Sequence, residues 1–184
     1  VTTDEQDGQL VQGAKQGSLD CFGQLYHRYY ASMVALAYSL LADRHLSEDS
    51  AQEAFAVACR DLQNLRCNDK FAGWLAGICR NVAKQMLRTR KELISNDHTP
   101  AADDKSEGDG VSETIRRAVW QLAPADREVI VLRYYNDLSY EQIAAVLGIS
   151  ELAVHGRLVR SKRKIEKILR RNGLMKDHDE KITK

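Results

Sequence analysis

Two prolines, Pro100 and Pro124, are all that 184 residues contain, so long helices are permitted over most of the chain. No apolar run approaches the ~20 residues that cross a bilayer. The acidic, polar opening "VTTDEQDGQL" lacks the basic and apolar regions of a signal peptide, and a cytoplasmic protein is expected. Four cysteines occur, Cys21, Cys59, Cys67 and Cys79, none at CxxC spacing. That disfavours a zinc site of this kind and points to four reduced thiols, expected to be mostly small buried hydrophobes. No HExxH motif and no glycine-rich phosphate loop is present, and His27 and His45 follow no ligand spacing. An enzyme built on them is disfavoured, and no metal or cofactor is expected. Alternating apolar patterns of the strand type are also missing.

What is present is helical periodicity. In "SLDCFGQLYHRYYASMVALAYSLLA", Phe22, Leu25, Tyr29, Met33, Leu36 and Leu40 fall at steps of three and four behind an N-cap at Ser18. A shorter helix is expected near residues 4–15. "HLSEDSAQEAFAVACRDLQNL" offers Ser47 as N-cap, Glu48 and Asp49 in the first turn, and an inward face of Ala51, Ala54, Phe55, Ala58 and Leu62. "RCNDK" breaks the pattern as a loop. A further helix then places Phe71, Trp74, Leu75, Ile78, Val82 and Met86 on one face.

From Ser95 to Gly110 the sequence is polar and acidic, which reads as a flexible linker. Beyond it come "SETIRRAVWQL" and "PADREVIVLRYYN", with Pro124 in a first turn. Ser139 and Gln142 form a capping box, Gly148 a C′ stop and Ser150 a new cap. That is a helix-turn-helix, whose second helix enters the DNA major groove. Val154, Leu158, Ile165 and Leu169 take its inward side, leaving Leu152, Ala153, Gly156, Val159, Arg160 and Arg163 outward with His155 and Arg157 on the flanks. The expected architecture is all-α, in two helical domains joined by a flexible acidic linker. Residues 1–94 form the N-terminal domain, 95–111 the linker, 112–174 the helix-turn-helix domain and 175–184 a polar tail.

The formal charge of +1 hides strong alternation. Residues 1–59 carry −5, 60–94 carry +5, 95–112 carry −4 and 113–184 carry +5. A polyanion would meet two separate basic zones.

The motifs "EDSAQEAF" and F-x-x-W-L-x-x-I-x-R-N, intact from Phe71 to Asn81, together with the helix-turn-helix, resemble bacterial RNA polymerase sigma factors of the extracytoplasmic-function type. The resemblance covers about residues 8–92 and 112–171. It implies a non-enzymatic protein that binds core RNA polymerase, recognises −10 and −35 promoter elements and promotes DNA melting. It assigns polymerase docking to Asp49, Gln52 and Glu53. It assigns −10 DNA to Arg66, Asn68, Asp69 and Lys70 of the loop and to Arg80, Asn81, Lys84 and Arg88 of the next helix. It assigns −35 DNA to His155, Gly156, Arg157, Val159, Arg160 and Arg163, and it implies an anti-sigma factor as a further partner.

The chain departs from the family pattern at Gln85, where an acid is usual, and at Leu152 and Ala153, where Gly-Thr is usual. His155 and Gly156 likewise replace a basic residue and a Ser. The main alternative is a regulator that binds an operator alone, which would have no need of the pattern over residues 46–91.

Overall fold

The computed structural model describes residues 3–94, 110–172 and 174. Eight α-helices occur among them: α1 (Thr3–Lys15), α2 (Leu19–Leu41), α3 (Arg44–Asp61), α4 (Phe71–Ile94), α5 (Gly110–Trp120), α6 (Pro124–Tyr134), α7 (Tyr140–Leu147) and α8 (Glu151–Arg171). Two short 3-10 turns, Leu62–Asn64 and Asn68–Lys70, lie between α3 and α4. The all-α expectation and the helix order hold. The expected linker falls almost wholly outside the described residues.

α2 is the central element and packs on α1, α3, α4 and α6. The Ser18 hydroxyl accepts from the Cys21 N–H and starts it, and Ala42 ends it in a left-handed conformation. Leu25, Met33 and Leu36 are fully buried with Phe71 and Leu75 of α4. Burying each such side chain contributes ~1.5–3 kcal/mol. Phe22 and Leu40, at the two ends of the stripe, are only half-buried.

α1 docks on α2 through a buried charge. The Asp7 carboxylate accepts from both Arg28 and the Tyr29 hydroxyl and is itself inaccessible. Close approach also requires Gly13, because a Cβ there would lie 2.5 Å from Cys21 Sγ.

α3 begins earlier than its sequence suggests. Asp43, not Ser47, is the N-cap, and its side chain accepts from the Leu46 N–H at 3.1 Å. Ser47 is buried one turn inside and donates to the Asp43 carbonyl. Glu48 and Asp49 therefore lie in the second turn, beyond the region where the helix dipole favours acids most. Arg90 of α4 pairs with the second Asp43 oxygen at 3.3 Å, so one carboxylate both starts α3 and fastens α4.

In the C-terminal half, both limbs of the Ser139–Gln142 capping box form, at 3.1 and 2.8 Å. Gly148 takes φ +67°, a conformation open to glycine but strained for other residues, and turns the chain. α7 and α8 meet at 101°, within the range of a helix-turn-helix. Val154 and Leu158 are buried, while Ile165 and Leu169 are half-buried.

The cysteines depart from expectation: only Cys79 is buried, Cys21 is half-buried, and Cys59 and Cys67 are exposed. Burial pushes the Cys79 thiol up to about 12. Two outcomes are expected. In the folded protein a thiol reagent at pH 8 modifies Cys59 and Cys67 quickly and Cys79 only after unfolding, as mass mapping of the labelled peptides would record. Asp43→Ala lowers stability by ~1 kcal/mol in urea unfolding, through loss of the cap.

Candidate nucleic-acid and protein interfaces

α3 and α4 enclose a groove of about 1290 Å³. Asp49, Gln52 and Glu53 stand exposed on its α3 side. Ala56, Val57, Val82 and Met86 also line it, and Gln85, Thr89 and Arg90 complete its α4 side. An acidic rim beside apolar side chains suits a basic amphipathic helix laid into the groove. The acids were legible in the sequence. The apolar lining was not, because it is drawn from two helices some 25–30 positions apart in the chain.

The second surface is the loop and the first half of α4. Arg66, Asp69, Lys70, Asn81 and Arg88 are exposed; Asn68, Arg80 and Lys84 are half-buried. Arg66, Lys70 and Asn81 line a groove of about 550 Å³ together with Cys67 and Trp74. Trp74 lies 6.1 Å from the Phe71 ring and is half in the core and half in this groove. The wall facing it comes from α7, through Glu141, Gln142 and Val146.

The C-terminal half packs against the N-terminal half here, and ion pairs mark the contact. Arg80 Nε donates to Glu128 Oε1 at 2.5 Å, with both side chains largely withdrawn from solvent (16% and 6% exposed). Lys70 donates to exposed Glu141 at 2.9 Å. That hydrogen bond holds the Glu141 carboxyl below its usual range and the Lys70 ammonium above its own. Farther along, Arg127 stacks 3.8 Å over the Trp120 ring and donates to the Ser39 carbonyl of α2. Asn136 donates to the Ser32 carbonyl, and Tyr38 meets Trp120 edge-on. Two of the eight residues assigned to −10 DNA, Lys70 and Arg80, thus face carboxylates of the other half. Sequence periodicity carries no signal for such pairs.

The third surface is the outward side of α8. His155, Arg160 and Arg163 are exposed; Gly156, Arg157 and Val159 are half-buried. A Cβ on Gly156 would lie 3.3 Å from Arg160 Nη1, so that guanidinium folds back over the glycine toward the helix start. The His155 ring stands 6.0 Å from Tyr140. Leu152, in the first turn, is 80% exposed.

Among the described residues no cluster of His, Cys, Asp and Glu suits a metal ion, and no single helix is long and apolar enough to cross a membrane.

Residues 25–92 match the family model for Sigma-70 region 2, and residues 112–165 that for Sigma-70, region 4. The chain is 31% identical over 186 residues to the RNA polymerase sigma-H factor of Pseudomonas aeruginosa, which covers 92% of this chain and 96% of that protein. It is 29% identical over 177 residues to the ECF RNA polymerase sigma factor SigW of Bacillus subtilis, with 87% and 95% covered. Among solved structures it is similar to CnrH in complex with the cytosolic domain of CnrY, at 28% identity and TM-score 0.66, covering 91% and 99% of the two chains. The fold is also that of RpoE from Bartonella quintana, crystallised with the anti-sigma factor NepR, at 22% identity and TM-score 0.68 over 81% and 96%.

The interface between the halves makes a prediction. Glu128→Ala leaves a largely buried guanidinium unpaired, a loss of about 3–5 kcal/mol. The halves should separate: the radius of gyration from small-angle scattering rises while helix content by circular dichroism is unchanged. An unchanged radius would mean that the remaining contacts hold the halves together without this pair.

Proposed function

The chain belongs to the sigma-70 family of RNA polymerase sigma factors, in its extracytoplasmic-function branch, and from that premise we propose how its surfaces divide promoter recognition and transcription initiation by RNA polymerase. Asp49, Gln52 and Glu53, with the apolar side chains beside them, dock on a basic coiled coil of core polymerase. The loop residues Arg66, Asn68, Asp69 and Lys70 take a base flipped out of the −10 element, which needs a pocket of hydrogen-bonding groups. Arg80, Asn81, Lys84 and Arg88 hold the phosphates of the strand as the duplex melts. α8 lies in the major groove of the −35 element. There Arg160 reads a base, Arg157 and Arg163 hold phosphates, and His155, Gly156 and Val159 shape the contact surface.

The observation that carries this reading is the presence, in one chain, of the acid-rimmed α3–α4 groove beside a helix-turn-helix. A regulator acting alone would use only the second. The protein brings no catalytic group, since nucleotide addition belongs to the polymerase. It works in the cytoplasm, where its promoter DNA lies. An anti-sigma factor is its proposed second protein partner. Support comes from CnrH, a relative in complex with CnrY, and from the close fit of the two halves, which gives one partner access to both.

Run-off transcription with purified core polymerase on a pool of promoters tests the function. Initiation at discrete sites is expected. Tight operator binding without polymerase, and no transcription with it, would reverse the assignment. On a randomised −35 library, Arg160→Ala should relax selectivity at one position by the ~1–3 kcal/mol of a bidentate arginine–guanine contact. Arg163→Ala should weaken all sequences alike and flatten the salt dependence. A uniform loss from Arg160→Ala would make it a phosphate clamp and move the reading face.

A further inference from the structure

The segment from Leu65 to Lys70 has little structure of its own. Its backbone bonds are the single closures of two 3-10 turns, Leu65 N to Leu62 O and Lys70 N to Cys67 O. What fixes it is α1, some fifty residues earlier. Gln63 Nε2 donates to the Lys15 carbonyl at 2.9 Å. Lys15 Nζ donates to the Leu65 carbonyl at 2.5 Å and to Asn68 Oδ1 at 2.8 Å. Asn68 Nδ2 in turn donates to Gln12 Oε1 at 3.0 Å. Lys15 is half-buried by these contacts, and α1 is anchored behind it by buried Asp7.

The chemistry of the pair settles which way the carboxamide faces. An ammonium has three donors and no acceptor, so it can meet only the oxygen of Asn68. Turning the amide by half a rotation would set its NH2 against the ammonium and lose a charge-assisted bond. An unrestrained asparagine flips freely and accommodates base edges with donor and acceptor in either order. One held by Lys15 on its oxygen and Gln12 on its nitrogen keeps a single order. Each of its polar atoms still has one unused position among the described contacts, enough for a base with an amino group beside a ring nitrogen.

We propose that Lys15, supported by Gln12, is a positioning residue that fixes the amide sense of Asn68 and thereby sets base preference at one −10 position. This rests on the reading of the 66–70 loop as the site of a flipped base. α1 then acts in specificity without touching DNA.

The test is run-off transcription by core polymerase reconstituted with each variant, on a library randomised across the −10 element. Asn68→Ala should flatten preference at one position. Lys15→Met keeps the long apolar stem and removes the donors. It should flatten the same position by about tenfold, the scale of a hydrogen bond to a charged group. Adding it to Asn68→Ala should change nothing further. Lys15→Arg, still a donor-only cation, should retain the preference. Gln12→Ala, at an exposed helix position, should flatten it by about threefold and covers the case in which Lys15→Met does not fold.

If Asn68→Ala leaves −10 preference intact, the base-reading role of the loop fails and this inference with it. If Asn68→Ala flattens the preference and neither Lys15→Met nor Gln12→Ala does, only the positioning role fails. A uniform loss over all −10 sequences from Lys15→Met would make Lys15 a structural tether.

Discussion

The N-terminal half of this molecule is assembled on one apolar stripe. Leu25, Tyr29, Met33 and Leu36 run along α2 and are buried, and that helix touches α1, α3 and α4 on the way round. α1 holds the loop, α3 and α4 form the acidic groove, and α4 carries the basic face. The groove and the basic face of α4 are therefore the outer sides of helices whose inner sides are on this stripe, whereas α8 rests on α5, α6 and α7. The same helix also supports α6 and the turn after it through the Ser39 and Ser32 carbonyls, which accept from Arg127 and Asn136. A cavity cut into the stripe would loosen the groove, the loop and the basic face of α4 together, at ~2–5 kcal/mol for a buried leucine or methionine.

The charge blocks of the chain acquire a physical meaning in this packing. The acids are not spread as a solvating coat. Asp7 anchors α1, Asp43 starts α3 and fastens α4, and Glu128 covers Arg80, while Asp49 and Glu53 remain free to face a partner. The basic zones divide likewise. Arg28, Arg80, Arg90 and Lys70 are engaged within the chain, whereas Arg160 and Arg163 stand exposed on α8. Formal charge counts both sets equally; only the engaged set contributes to the fold.

What the sequence discloses and what it hides follow the range of the interactions. The stripe of α2, the Ser139–Gln142 box, the Gly148 turn and the inward phase of Val154 and Leu158 are local and periodic, and all were legible. The start of α3 was misread because Asp43 and Ser47 are both competent caps one turn apart. The choice falls to packing, which buries Ser47 and gives Asp43 a second bond to Arg90. Cys59 was misread because small apolar character does not reveal which face of a helix a residue occupies, and Cys67 is exposed because it lies in the loop before α4. Of the candidate sites, the charged and polar residues were legible as types in a pattern. The ties of Lys15 to Asn68 and of Arg80 to Glu128 span about fifty positions each and leave no trace in periodicity.

The Arg80–Glu128 contact has a consequence for affinity. On the proposed −10 role of Arg80, any state in which it meets DNA competes with the state in which it meets Glu128, so the apparent dissociation constant is the intrinsic one divided by the open fraction. Each 1.4 kcal/mol in the contact between halves is then tenfold in promoter affinity, with no change at the DNA surface. Substitutions on α6 and α7 that never approach a base can therefore tune the strength of this protein over orders of magnitude. Selection for weaker or stronger promoter use has a second set of positions on which to act.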